Sequence, residues 1–131
     1  GRRHVRSNNS WLHNSRRLVK GPVRCTLMMH PADAAARGIE NGQTVIIQSD
    51  VATIETSAEI TDDMMQGVVS LPHGWGHNRE GVSWNTAADH AGVSFNDLVG
   101  TQRFDVLTGN AVLNGIAVSV TSKEQEVAMA S

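Results

Sequence analysis

Two stretches of this sequence hold the residue types that recognise phosphates and flat rings. Residues 2–14 read Arg-Arg-His-Val-Arg-Ser-Asn-Asn-Ser-Trp-Leu-His-Asn. Guanidinium forks match phosphate oxygens, the amides can read the edge of a purine or pterin, and Trp11 can cover a planar ring. The competing reading is a solvated arm, and the crowding of three amides and two hydroxyls around one tryptophan favours a site. Residues 71–78 read Leu-Pro-His-Gly-Trp-Gly-His-Asn. Glycines on both sides of Trp75 let the backbone fold tightly and approach a ligand with its N–H groups exposed.

Other chemistries find less support. His73 and His77 are four residues apart, a metal-site spacing on helices, but Gly74 and Gly76 disfavour a helix and two histidines lack the third ligand a zinc site needs. Cys25, the single cysteine, sits among apolar residues and reads as buried packing rather than as a nucleophile. It cannot supply an iron-sulfur cluster. No nucleophile-elbow pattern surrounds any serine, Asp62 and Asp63 fit a capped first turn, and no phosphate-binding glycine loop of the dinucleotide or P-loop type occurs.

Charge is distributed unevenly. Seven basic and no acidic residues precede Asp33, whereas four basic and thirteen acidic residues follow from there, giving +7 and −9 within a net charge of −2. An anionic partner is expected at the N-terminal end only. The 131 residues, 40% hydrophobic and 18% charged, are the size and composition of one folded domain. No apolar run reaches the ~20 residues of a membrane-spanning helix, so no membrane contact is expected. The chain starts at Gly1, which reads as an excised piece whose leader, if any, lies elsewhere; a cytoplasmic location is the expectation.

The elements that must position these residues are short. Residues 25–30 read as a strand, followed by a helix beginning at Pro31 and ended by Gly38. Asn41-Gly42 marks a turn into a buried strand over residues 44–48, and residues 52–60 alternate as a half-buried strand. Thr61 reads as the cap of a helical turn, residues 68–71 as a strand stopped by Pro72, and residues 73–92 as one long irregular loop, which is usually functional. Residues 95–99 read as a helical turn and residues 111–121 as a last strand, bulged at Asn114-Gly115. Helices this few and short imply a small barrel rather than a doubly wound sheet.

Five segments in order make the chain similar to the C-terminal cofactor-binding domain of the molybdopterin oxidoreductase family, which includes formate dehydrogenases, nitrate reductases and dimethyl sulfoxide reductases. They are Arg-Ser-Asn-Asn-Ser-Trp-Leu-His-Asn at 6–14, Met-His-Pro-Ala-Asp-Ala at 29–34, Gly-Val-Val-Ser-Leu-Pro-His-Gly-Trp-Gly-His at 67–77, Val-Ser-Phe-Asn-Asp-Leu at 93–98, and Leu-Thr-Gly-Asn-Ala-Val-Leu-Asn-Gly-Ile-Ala-Val at 107–118. The resemblance implies a mainly β fold, a six-stranded double-psi β-barrel with short connecting helices. It implies a basic cofactor-facing arm over residues 1–24, the barrel over 25–122 and a loose tail over 123–131.

The implied cofactor is molybdopterin guanine dinucleotide in its bis form, with molybdenum held elsewhere in the full enzyme and the N-terminal catalytic domains as partners. The contacts carried over are Arg6, Ser7, Asn9, Ser10, Trp11, His13, Asn14, His73, Gly74, Trp75, Gly76, His77 and Asn96. No catalytic residue and no metal ligand is assigned to the chain. Asn114 stands where some relatives place a lysine. Two rivals are a separate small cofactor-binding subunit of a molybdenum or tungsten enzyme and a nucleic-acid-binding module. Two phenylalanines, no tyrosine and a −9 body disfavour the second, since strand binding uses stacking aromatics along a positive face.

Overall fold

A computed structural model describes residues 1–4 and 10–124. The fold is mainly β: one curled, mixed five-stranded sheet with strand order β4-β1-β3-β2-β5 and a few short helices. Its strands are β1 (Thr26–Met29), β2 (Thr44–Gln48), β3 (Thr53–Ile60), β4 (Val69–Ser70) and β5 (Ser119–Ser122). The central pair β1 and β3 is parallel, with Thr26 opposite Ser57 and Met29 opposite Ile60, and the other pairings are antiparallel. Parallel neighbours need a long connection, and here the helix at Pro31–Ala36 and β2 supply it. Short helices α1 (Arg16–Val19) and α3 (Asn85–Ala88) flank this one, α2 (Pro31–Ala36), in the chain.

Local chemistry explains α2. Pro31 occupies its first turn, and His30 caps it by accepting the Ala32 N–H at Nδ1, 3.1 Å away. Gly38 ends it with φ +59°, where the Ile39 N–H turns back to the Ala34 carbonyl at 2.9 Å. The Asn41-Gly42 turn is fastened to the sheet at two points: Gly42 N–H donates to Ala58 O at 2.8 Å, and Asn41 Oδ1 accepts from Ile60 N–H at 2.9 Å. Inward-facing Leu27, Met29, Val45, Ile47, Ala58 and Val120 form the core with Ala34, Ile39, Leu71, Phe95 and Leu98. A smaller cluster of Val19, Cys25 and Trp75 pins the N-terminal segment beside it.

Three expectations are corrected. The last strand is only Ser119–Ser122, because Gly115 takes φ +68° and breaks the extended run; Ala111 pairs instead with Phe104 in a hairpin. Thr61 caps no helix: its hydroxyl accepts the Asp63 N–H at 3.2 Å in a tight turn, since Gly67 arrives before a helix can nucleate. The 73–92 loop contains one helical turn, α3. The arm is partly structured, with a 3₁₀ turn at Ser10–Asn14 followed by α1. Residues 95–98 do form the expected helical turn.

Candidate functional site

The site is built by the loop that leaves β4. Arg2 runs alongside it, donating its N–H to Leu71 O at 2.9 Å and accepting from His73 N–H at 3.0 Å. Gly74 and Gly76 then take φ +89° and +102°, a region that side chains with a Cβ avoid. The Ala91 carbonyl accepts two loop N–H groups, Gly76 at 2.7 Å and His77 at 3.2 Å. A Cβ on Gly76 would stand 2.8 Å from that of Ser94. The loop thus turns on two glycines, and Gly76 lets residues 94–96 pack against it.

Behind the loop lies an aromatic stack. His13 from the 3₁₀ turn is only 2% exposed and lies over Trp75, with ring centroids 3.9 Å apart and planes inclined by 19°. His13 Nδ1 and His77 Nε2 share a hydrogen bond of 2.7 Å, one ring donating and the other accepting. Burial, and secondarily the neighbouring His13, holds the His77 imidazole below the ordinary histidine pKa. His73, packed at a tilt on Phe95 with centroids 4.5 Å apart, is lowered chiefly by burial as well.

A cavity of about 330 Å³ opens in front of this stack, lined by Ser10, His73, Gly74, Trp75, His77, Ser94, Phe95 and Asn96. Six of the expected contacts, Ser10, His73, Gly74, Trp75, His77 and Asn96, therefore converge on one space. Sequence reasoning misses Ser94 and Phe95, although they lie in the family-like segment at 93–98. His13 supports Trp75 instead of lining the cavity, Gly76 packs on Ser94, and Trp11 points outward with 67% exposure. Arg6, Ser7 and Asn9 lie outside the described residues.

Asn14 plays a structural part, because its Oδ1 accepts the Ala87 N–H at 3.2 Å and so ties α3 to the 3₁₀ turn. Asn14→Ala is expected to cost about 0.5–1.5 kcal/mol, the value of a lost helix cap, with the cavity residues left in place. Urea unfolding measures the loss, and an unchanged midpoint would refute this role.

The lining offers hydroxyls, an amide, two imidazoles, exposed glycine backbone and one indole. No described carboxylate lines it. The Trp75 Nε1–H is buried and has no hydrogen-bond partner among the described residues, a cost of about 1–3 kcal/mol. His77 spends Nε2 on His13 while His73 packs on Phe95, so the two histidines are not arranged as paired ligands. Among the described residues no three His, Cys, Asp or Glu side chains gather to hold a metal.

No described arginine or lysine lines the cavity either. Arg2 donates to Ser70 O, to Thr26 Oγ1 at 3.1 Å and to Arg24 O at 3.5 Å, while Arg24 donates to Val19 O at 3.2 Å and Lys20 O at 3.0 Å. Part of the +7 arm therefore satisfies backbone carbonyls. Cys25 is buried, its Sγ accepts the Val93 N–H at 3.3 Å, and burial raises its pKa, which suits packing.

The profile of the molydopterin dinucleotide binding domain matches residues 1–117. The chain belongs to this family. Within it, the chain is 43% identical over 56 residues to the dimethyl sulfoxide/trimethylamine N-oxide reductase of Rhodobacter capsulatus, covering 43% of this chain and 7% of the relative. It is 29% identical over 114 residues to the molybdopterin-containing subunit of the arsenate respiratory reductase of Chrysiogenes arsenatis, covering 83% of the chain and 13% of the relative. This molydopterin-binding chain thus spans a small fraction of the relatives it matches. The same fold occurs in acetylene hydratase from Pelobacter acetylenicus, with a TM-score of 0.61, 17% identity, 74% of this chain and 14% of that one.

Proposed function

We propose that this chain holds and orients a bis-molybdopterin guanine dinucleotide as the C-terminal domain of a molybdenum-dependent oxidoreductase. The observation that carries this is the convergence of six expected residues on one cavity beside Trp75. The donor set fits the group. Glycine backbone at 74 allows close approach, Ser10, Ser94 and Asn96 can meet heterocycle edges, and no described carboxylate in the lining repels a phosphate. A space of about 330 Å³ suits one ring system with its substituents, so the rest of so large a cofactor would rest on other domains of the enzyme.

When bound, the cofactor supplies two-electron redox or oxygen-atom chemistry at its metal. This chain contributes orientation and hydrogen bonds. His13 holds the His77 ring through Nε2, and the His13 stack fixes the Trp75 plane. The five-stranded sheet is read as most of a six-stranded double-psi barrel, supported by the parallel bridge between Arg2 and Pro72 beyond β4.

The test is a heteronuclear titration with molybdopterin guanine dinucleotide. Shifts are expected at Ser10, Trp75 and residues 94–96. Asn96→Ala removes an amide from the cavity lining, so affinity should fall roughly three- to tenfold, the worth of one hydrogen bond. Shifts confined to other surfaces, such as the groove between Arg2, Arg24 and Glu59, would overturn the assignment.

A further inference from the structure

The family-like segment at 107–118 does not reach the cavity, and its start belongs to an ordered hairpin. Phe104 and Ala111 pair antiparallel, Asp105 N–H donates to Asn110 O at 2.8 Å, Gly109 N–H donates to Asp105 O at 2.7 Å, and Val112 N–H donates to Arg103 O at 3.0 Å. The Asp105 carboxylate accepts both the N–H and the hydroxyl of Thr108, each at 2.8 Å. Asp, Thr, Gly and Asn at positions 105 and 108–110 are residues a turn requires.

Val106 and Leu107, at the tip, are not. They are 86% and 95% exposed, with Phe104 and Val112 also exposed on the same hairpin, and none belongs to either core cluster. An apolar pair on a pre-shaped turn has little ordering entropy left to lose on docking.

We infer that residues 103–112 form a docking element whose Val106-Leu107 tip seats in an apolar pocket on the remaining polypeptide of the larger oxidoreductase. The inference rests on the function proposed above. Two arguments select that occupant. The segments matched in the two relatives make up 7% and 13% of their lengths, so most of the surface such a domain meets belongs to the rest of the chain. A two-residue tip is also far smaller than the roughly 1,600 Å² that a stable association between separate molecules buries. A covalently attached neighbour needs no such area, because its effective concentration is high.

Hydrogen exchange of the 103–112 peptide, measured in this 131-residue chain and in the full-length enzyme, tests the inference. Exchange is expected to be roughly tenfold slower in the full-length enzyme, and Val106→Asp with Leu107→Asp should remove most of that protection. Equal rates in the two proteins overturn the inference. So does concentration-dependent protection in the isolated chain, which would identify a second copy as the occupant. Guanine nucleotide released from the same full-length sample reports on the cofactor separately. Its absence would sink the functional reading, whereas cofactor present with an unprotected hairpin sinks only the docking inference.

Discussion

Gly92→Ala is expected to destabilise the chain by about 2–4 kcal/mol and to pull Trp75 out of register with the cavity. The residue has φ +59°, and a Cβ there would stand 2.9 Å from both Cβ and Sγ of Cys25 and 3.0 Å from Trp75 Cβ. These neighbours cannot yield cheaply. Cys25 is held at Sγ by the Val93 N–H, and Trp75 is pressed against His13 on its ring face. Gly42→Ala is the control: φ is +83° and nothing lies within 4 Å, so only backbone strain of about 1–2 kcal/mol is expected. Urea unfolding of both variants separates the terms, because the excess loss in Gly92→Ala is the overlap with Cys25 and Trp75. Equal losses would mean that the Cys25–Trp75 wall is soft and that Trp75 is not fixed from this side.

The parts of the fold legible in the sequence are those governed by adjacent residues. Pro31, the alanines after it and Gly38 specify α2 locally, and Asn41-Gly42 specifies its turn whatever the rest of the chain does. The His73–His77 loop is legible for the same reason, since two glycines around a tryptophan have few other uses. What escapes depends on distant partners. Nothing periodic marks residues 10–19 as helical; they fold because His13 lies on Trp75 and Asn14 accepts from the backbone of α3. The run after residue 111 has strand composition but joins the sheet only where Ser119 meets Gln48.

Charge misleads in an instructive way. Counting cations points to an anionic partner along the whole arm, yet Arg2 and Arg24 donate to main-chain carbonyls and a threonine hydroxyl. Composition cannot tell a guanidinium aimed at phosphate from one aimed at a carbonyl. The role of His13 is equally hidden. Its place beside Trp11 in the sequence suggests a cofactor contact, but its ring partners, Trp75 and His77, are more than sixty residues away.

His13→Ala should cost about 2–4 kcal/mol, because it opens a space beside Trp75, abolishes the ring stack and leaves His77 Nε2 unpaired in a buried position. His13→Phe distinguishes the contributions: it restores the stack without the hydrogen bond and should recover more than half of the loss if packing on Trp75 dominates. A pH dependence accompanies this. The His77 pKa lies below its unfolded value of about 6.5, so above pH ~6.5 both states are neutral and the full stability is present. As pH falls below ~6.5 the unfolded chain takes up the proton first, and stability declines until the folded-state pKa is passed. His73, shifted in the same direction, adds to the decline. The urea midpoint of the wild type should therefore drop between about pH 7 and pH 5, and His77→Gln should flatten that slope while leaving the His73 share. Parallel slopes in wild type and His77→Gln would show that the His13–His77 pair is not what couples folding to protons, and the stack would then be a packing feature alone.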